Sequence, residues 1–289
     1  MKASNFSYLR ASSVSEAVAA FRAAEGEAKY LAGGQSLLAS MNLRLQAPSL
    51  LIDIASIDAL RGISQRGDEL RIGALTRHAE ILDSPEIAAQ VPLLAAAAPW
   101  VAHPAIRNKG TLGGSLALAD PASEFPAVAL ALGARIELDN GERTRFVAAE
   151  DFFVDLYETA AEPDEIVTAV WFPRAKPNAR FAFDELARRR GDFAIVGVAA
   201  ATEFGGDIVD DVRIVFFSVG PTPLRALGVE AALRGGDLSP ANIGEGLAAL
   251  AHDLEDASDD AQTSAATRRH LAGVLLRRQL GALRAARAA

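Results

Sequence analysis

Two glycine-rich segments carry the residue types that can hold an anion, and the first is Ala32-Gly33-Gly34-Gln35-Ser36-Leu37. Glycines let the backbone approach a bound group closely, and successive N–H groups at a helix start carry partial positive charge. The Ser36 hydroxyl adds a donor, so this loop can hold a phosphate without Lys or Arg. The same glycines also suit a tight turn with positive φ. This loop alone therefore leaves both interpretations open.

The second segment, residues 106–117, repeats the chemistry of the first. Gly113 and Gly114 lie between the hydroxyls of Thr111 and Ser115, and a helix-prone stretch follows. Two such loops converging on one ligand would suit a diphosphate, because a diphosphate has two negative groups to satisfy. Neither loop has the G-x-G-x-x-G spacing of a dinucleotide fingerprint or the G-x-x-x-x-G-K-[ST] spacing of a P-loop. A Rossmann domain and a P-loop NTPase are therefore disfavoured.

Short helices and strands must position these loops, and their patterns predict an α+β fold. Before, between and after the two loops, runs of helical spacing alternate with short apolar runs. Residues 103–120 are predicted to be a loop, because Gly and Pro interrupt the pattern there. The predicted strands are residues 28–32, 50–54, 69–74 and 135–138, and the predicted helices are residues 12–24, 36–45, 77–82, 93–101 and 126–132.

A proline-containing segment, Trp171 to Asn178, predicts a linker between two domains. Pro173 and Pro177 disfavour helix there, and a strand-like run precedes them. A chain of 289 residues has the length of about two domains. We therefore expect a larger N-terminal domain over residues 1–175 and a smaller C-terminal domain over residues 178–289.

The composition excludes several kinds of function. The chain has no cysteine, so it can form no disulfide, hold no Cys-ligated iron–sulfur cluster and use no thiolate nucleophile. Its net charge of −8 disfavours nonspecific nucleic-acid binding, which needs a basic face. No apolar run is long enough for a membrane span, and the first residues lack a signal-peptide pattern. These features predict a cytoplasmic protein.

The four histidines predict no metal or catalytic centre. His103 precedes Pro104 on the approach to the second loop, where it either orders the loop or tunes a bound cofactor. His78, His252 and His270 stand apart without partners at ligand spacing, and they are predicted to lie at the surface. No nucleophile, base and orienting group occur together, so no catalytic residue is assigned.

Beyond the two loops, short motifs occur in a fixed order along nearly the whole chain. They are Phe6-Ser7-Tyr8 with Ser15-Glu16-Ala17, Ala32 to Leu38, Leu51-Ile52-Asp53-Ile54, Ile72-Gly73-Ala74-x-Thr76, Val101 to Pro104 with Ile106-Arg107-Asn108, Thr111 to Gly114 with Ala119 to Ala122, and Arg190 to Ala194. With these motifs the sequence resembles the FAD-binding medium subunits of the xanthine dehydrogenase and carbon monoxide dehydrogenase family.

The resemblance implies an FAD-binding domain of the vanillyl-alcohol oxidase/p-cresol methylhydroxylase type, with subdomains at about residues 1–55 and 56–175, and then a small α+β C-terminal domain. By position, the two glycine loops would bind the FAD pyrophosphate, and Asp120 would lie near the adenosine ribose or adenine. Asp192 and Phe193 would approach the isoalloxazine. The implied cofactor-binding residues are Ala32, Gly33, Gly34, Gln35, Ser36, Leu37, His103, Thr111, Gly113, Gly114, Ser115, Asp120, Asp192 and Phe193.

Three positions depart from the pattern of many relatives. Ser115 stands where many have Asn, Glu124 stands where many have Asp, and Phe193 stands where Tyr is common. Phe193 keeps an aromatic ring for stacking but has no hydroxyl, so it can make no hydrogen bond to the flavin edge.

The resemblance also implies a function and partners. FAD would pass electrons from partner iron–sulfur clusters to an acceptor, in a complex with a large molybdopterin subunit and a small [2Fe–2S] subunit, assembled as a dimer of heterotrimers. The lack of cysteine fits, because the clusters must then lie on another chain. Two alternatives are a self-sufficient flavin oxidase of the vanillyl-alcohol oxidase type and a flavin-free scaffold. The short C-terminal domain disfavours the first, and the intact glycine loops disfavour the second.

Overall fold

The computed structural model describes residues 2–287, and the chain begins with a small parallel sheet. Its strands are β1 (Ser7–Arg10), β2 (Ala28–Leu31) and β3 (Leu50–Asp53), and its helices are α1 (Val14–Ala23) and α2 (Leu37–Asn42). The strand order is β1-β3-β2, so α1 crosses from one edge strand to the other and buries Ala17 and Val18 in the core beneath it. The first glycine loop follows β2 at the carboxyl edge of this sheet.

A second, antiparallel sheet holds the other glycine loop. Its strands are β4 (Ile63–Arg66), β5 (Glu69–Gly73), β6 (Arg135–Asp139), β7 (Thr144–Ala148) and β10 (Ile166–Pro173), with a hairpin formed by β8 (Phe153–Asp155) and β9 (Glu158–Thr159). The helices of this part are α3 (His78–Asp83), α4 (Pro85–Gln90), α5 (Pro92–Ala97), α6 (Pro104–Arg107), α7 (Leu112–Leu118), α8 (Glu124–Ala131) and α9 (Ala149–Phe152). The sheet order is β4-β5-β10-β6-β7.

The C-terminal part is a four-stranded antiparallel sheet with helices. Its elements are β11 (Ala179–Leu186), β12 (Val196–Gly205), β13 (Ile208–Phe217), β14 (Leu224–Arg225), α10 (Leu227–Leu233), α11 (Pro240–Asp253) and α12 (Ala265–Arg287). The strands pair in sequence order, and the helices share a second core with one face of this sheet. None of the helices within residues 2–287 combines the length and apolarity that a membrane crossing needs. The predicted α+β fold is confirmed.

Helix α8 joins the two halves of the chain. Every residue from Phe125 to Ala131 is buried, and a helix that is apolar all round must be enclosed on every side. Its core contains Ile136 of β6 as well as Val215 and Phe217 of β13. The segment that leads into α8, residues 119–124, is therefore held at the junction between the N-terminal and C-terminal parts.

Two sequence expectations about connections are wrong. Residues 103–120 contain α6 and α7, because Pro104 takes the first position of one helix and the Thr111 side chain caps the other. The expected linker also begins too early, since Trp171 to Pro173 belong to β10. Pairing with β6 ends at Trp171, so Pro173 has only β5 beside it and the sheet tolerates its missing N–H.

Candidate functional site

The first glycine loop presents a row of unengaged backbone donors. Gly34 has a φ of +71°, a conformation that L side chains rarely adopt. Within residues 2–287, no hydrogen bond uses the N–H groups of residues 33–37. Ser36 occupies the N-cap position of α2, but its hydroxyl makes no capping bond, and the Gln35 amide folds back onto the Gly33 carbonyl at 2.9 Å. These free donors are therefore available to an anion.

The two glycine loops touch each other. A Cβ on Gly33 would lie 2.9 Å from both Gly110 Cα and the carbonyl carbon of Lys109, and closer still to the Lys109 carbonyl oxygen. Only glycine fits here without displacing the backbone of the second loop. The two loops thus form one continuous surface, as the hypothesis of a shared diphosphate requires.

The second glycine loop is held by its own hydrogen bonds. The Gly113 N–H donates to the Ala74 carbonyl at 2.8 Å, and the Gly114 N–H donates to Thr111 Oγ1 at 3.2 Å. A Cβ on Gly113 would lie 2.9 Å from Ala74 Cα, so this glycine allows α7 to pack tightly on the end of β5. Ser115 follows, half-buried in α7. The second loop therefore gives rigid support, and the free donors lie mainly in the first.

Asp120 lies just beyond α7 and has two partners. Its Oδ1 accepts a hydrogen bond from the Ala122 N–H at 2.9 Å, and its Oδ2 accepts one from the Tyr157 hydroxyl at 3.3 Å. Tyr157 comes from the β8–β9 hairpin with a φ of +58°, and burial next to the Asp120 charge raises the pKa of its hydroxyl. Sequence reasoning missed Tyr157, because nothing in its local pattern signals this distant contact.

The segment around Asp192 packs against the approach to the second loop. A Cβ on Gly191 would lie 2.7 Å from the Ala102 carbonyl oxygen and 2.8 Å from His103 Nδ1. Asp192 is held by Arg188 at 3.3 Å, whereas the Phe193 side chain is 62% exposed. His103 therefore lies at a contact between the two halves of the chain, and Phe193 has a ring face free for a ligand.

Ser218 ties the Phe193 segment to the Asp120 segment. Its N–H donates to the Pro121 carbonyl at 2.7 Å, and its hydroxyl donates to the Ala194 carbonyl at 2.6 Å. In the sequence, Asp120 directly precedes Pro121 and Phe193 directly precedes Ala194. Ser218 thus joins the chain segments that carry these two predicted site residues.

Two carboxyl groups, the half-buried Glu124 and the buried Glu185, interact at this junction, and sequence reasoning missed the second. Burial raises the pKa of Glu185 to about 8, with a further contribution from the charge of Glu124. Burial likewise raises the pKa of Glu124 to about 7, and Asp120 adds to that effect. Glu185 is 4% exposed, and its Oε2 has no hydrogen-bond partner within residues 2–287. No motif marks Glu185, since its environment comes from packing between elements.

The surface position predicted for His78 is wrong. Its side chain is 6% exposed, and the ring meets the Phe125 ring edge-on at a centroid distance of 5.0 Å. Burial lowers the pKa of His78 to about 4. The other two histidines predicted at the surface, His252 and His270, are exposed.

The geometry has the features of a nucleotide-diphosphate site next to a domain junction. Its free amides, glycine cradle and exposed aromatic ring fit a flavin dinucleotide, so the fold and site define a flavoprotein. The family profile described as "FAD binding domain in molybdopterin dehydrogenase" matches residues 4–175, and the profile "CO dehydrogenase flavoprotein C-terminal domain" matches residues 181–283. The chain therefore belongs to the FAD-binding medium subunits of the molybdenum hydroxylases. Its cofactor is FAD, and it is a subunit of a molybdopterin-dependent oxidoreductase.

Individual relatives agree along almost the full chain. The nicotine 6-hydroxylase medium subunit of Paenarthrobacter nicotinovorans is 39% identical over 88% of this chain and 89% of its own. The carbon monoxide dehydrogenase medium chain of Hydrogenophaga pseudoflava is 36% identical over 96% of each chain. A solved structure of carbon monoxide dehydrogenase from Hydrogenophaga pseudoflava superimposes with a TM-score of 0.96 over 99% of both chains, at 36% identity. These likenesses confirm the predicted family and cofactor.

Proposed function

We propose that this subunit relays electrons, through its bound FAD, from iron–sulfur clusters on a partner chain to an external acceptor. The observation that carries this proposal is the row of free amides at residues 33–37, packed against the second glycine loop in a chain without cysteine. When bound, FAD supplies the redox chemistry. The chain's own residues bind it, orient it and shield it.

We assign the FAD pyrophosphate to the surface where the two loops meet. Backbone N–H groups from the first loop would point at the phosphate oxygens, with the Ser36 hydroxyl as an additional donor. The second loop would hold this surface in place through its bonds to Ala74 and its cap on α7. The residues assigned to this pyrophosphate site are Ala32, Gly33, Gly34, Gln35, Ser36 and Leu37 in the first loop, and Thr111, Gly113, Gly114 and Ser115 in the second.

The two ends of the cofactor are assigned to different residues. The Asp120 carboxylate would accept a hydrogen bond from the adenosine end, and the Tyr157 hydroxyl would fix its orientation. The exposed Phe193 ring would stack on the isoalloxazine, while Arg188 steadies the adjacent Asp192. His103 would keep the Asp192 segment seated against the N-terminal part.

We further propose that a large molybdopterin subunit and a small [2Fe–2S] subunit complete the complex, as a dimer of heterotrimers. Two observations support a multi-subunit complex: the chain has no cysteine for a cluster, and its relatives are named medium subunits or medium chains. We propose domain limits of residues 1–175 and 178–289, which agree with a connection at residues 174–178 between β10 and β11.

The test compares the lone chain with the chain co-expressed with its partner subunits. Acid precipitation of the lone chain should release all of its yellow colour as FAD, because no cysteine is available for a thioether link. Its dithionite-reduced flavin should still pass electrons to an artificial acceptor. The candidate substrates to test are purines, aromatic N-heterocycles, aldehydes and carbon monoxide, and whichever of them the complex turns over should not be turned over by the lone chain.

Three results would contradict the proposed electron relay. Substrate turnover by the lone chain at the rate of the complex would contradict the relay and favour a flavin oxidase. Flavin that stays in the acid precipitate would favour the same alternative. Purified, folded chain that takes up no FAD would favour the scaffold.

A further inference from the structure

The buried imidazole of His78 lies beneath the second glycine loop, and the proposed function gives it no role. Its backbone N–H donates to the Gly110 carbonyl at 3.0 Å. Its ring packs so closely on Gly110 that a Cβ there would lie 2.9 Å from His78 Cε1 and 3.1 Å from Nδ1. On its other side the ring meets Phe125 of α8. The imidazole is thus wedged between a core helix and the loop.

This wedge lies directly behind the contact between the two glycine loops. Gly110 Cα and the neighbouring Lys109 carbonyl are the atoms that Gly33 touches. Two backbone bonds hold residues 76–78 against residues 110–112: the His78 N–H to Gly110, and the Leu112 N–H to the Thr76 carbonyl at 3.0 Å. If the His78 ring moved, Gly110 would move with it, and Gly110 directly contacts Gly33 of the first loop.

We propose that His78 is a positioning residue for the FAD diphosphate: its neutral ring fixes the position of Gly110 and so keeps Lys109 in contact with Gly33. The proposal rests on the assignment of the diphosphate to these loops, and it adds a residue that never touches the cofactor. It also explains why residue 110 is glycine, since any side chain there would meet the imidazole.

The surroundings of the ring make this wedge sensitive to protonation. Neither ring nitrogen has a hydrogen-bond partner of normal geometry within residues 2–287. Burial is the main cause that lowers the His78 pKa, Arg107 of α6 lowers it further, and the Thr111 backbone opposes both. From α8 the ring meets the uncharged Phe125, and from the loop it meets backbone. A proton on the ring would therefore have no counter-charge.

The sign of the pH dependence follows from this lowered pKa. The ordinary pKa of a histidine is 6.5, and burial lowers the pKa of His78 to about 4 when the loop is seated, that is, when Lys109 contacts Gly33. The neutral ring therefore stabilises the seated loop fully above pH 6.5. As the pH falls below 6.5, the population of the seated state relative to the displaced state drops by up to about tenfold per pH unit. The drop is roughly 150-fold by pH 4 and approaches about 300-fold only below that pH. FAD affinity should fall once the displaced state becomes the major one.

Two variants of the chain separate the effect of the ring's packing on FAD binding from the effect of its protonation. FAD titration of the FAD-free protein at pH 7.5 should show about tenfold or more weaker binding for His78→Ala, because the cavity lets Gly110 shift. His78→Leu has a similar volume and loses no hydrogen bond, so its affinity should stay within about threefold of the wild type. Between pH 6.5 and pH 4, the Leu variant should lose less affinity than the wild type.

A double-mutant cycle tests the contact itself. Gly110→Ala should weaken FAD binding in the wild type, but less in the His78→Ala background, because the two imidazole atoms nearest its Cβ are gone and only the Ile106 carbonyl oxygen, at 3.2 Å, remains close. Gly244→Ala adds a Cβ in open space and is the control. Urea unfolding of the FAD-free variants, together with the Leu variant, keeps the test valid if His78→Ala folds poorly.

The outcomes that overturn this inference differ from those that overturn the proposed function. Wild-type affinity in His78→Ala, additive effects in the cycle, or equal acid profiles for the wild type and the Leu variant would each refute the positioning role. A wild-type chain that binds no FAD would instead refute the assignment of the diphosphate to these loops.

Discussion

Replacing Gly33 with alanine should push the two glycine loops apart and weaken FAD binding. The new Cβ would lie 2.9 Å from Gly110 Cα, whereas carbon atoms in contact are normally about 3.5–4.0 Å apart. The second loop must therefore retreat by more than half an ångström on that basis, and overpacking of this kind costs about 1–3 kcal/mol. If that cost falls on the surface that holds the diphosphate, the Kd for FAD should rise about 5- to 150-fold.

The assay is a titration of FAD-free protein with FAD, followed by flavin fluorescence or calorimetry. Urea unfolding of the same FAD-free protein reports whether the fold as a whole has changed. Gly244→Ala is the matched control, because a Cβ at that helical position meets nothing within 4 Å. Its affinity for FAD should equal that of the wild type.

Two results would refute the reasoning. An unchanged Kd in Gly33→Ala would mean that the contact between the loops does not shape the FAD site. A loss of affinity matched by an equal loss in the free energy of unfolding would mean that Gly33 serves the fold and not the site. The expected result is a large change in affinity with little change in unfolding.

Two further predictions concern the domain junction. The Glu185 carboxyl has a pKa of about 8 in the fold against an ordinary value of 4.5, so its contribution to stability is present at acid pH and is lost as the pH rises from 4.5 to 8. Glu185→Gln should remove this loss. Relative to the wild type, the FAD-free Gln protein should therefore gain about 3–4 kcal/mol in its free energy of unfolding between pH 5 and pH 8; equal pH profiles would contradict the assigned burial. Phe193→Ala should change the flavin spectrum or reduction potential more than the Kd for FAD, because the exposed ring is assigned to the isoalloxazine and not to the phosphates. An unaltered spectrum and potential would place this segment away from the flavin.

The amino-acid sequence alone predicted the α+β fold, the family and the cofactor, and all three are confirmed. The reason is local. A backbone that approaches a diphosphate needs residues without side chains, and this need leaves a visible mark in Gly33-Gly34 and Gly113-Gly114. The absence of cysteine is equally plain in the sequence, and its residues can therefore ligate no Cys-held iron–sulfur cluster.

The sequence did not reveal which glycines present free amides and which allow close packing. Gly33 and Gly113 have similar neighbours along the chain, but one contacts the Lys109 backbone and the other packs on Ala74. Residues 103–120 were likewise expected to be a loop, although Pro104 at the first position of one helix and the Thr111 cap of another start two helices there. Short helices bury too few residues to leave a clear periodic signal.

Only the tertiary structure decided the environments of His78, Glu185 and Tyr157. His78 is buried because Phe125 and Gly110 close over it, and Glu185 is buried because two parts of the chain meet around α8. Tyr157 reaches Asp120 from a hairpin 37 residues away. Burial and pKa depend on what distant segments place around a side chain, and a local pattern carries no record of those neighbours.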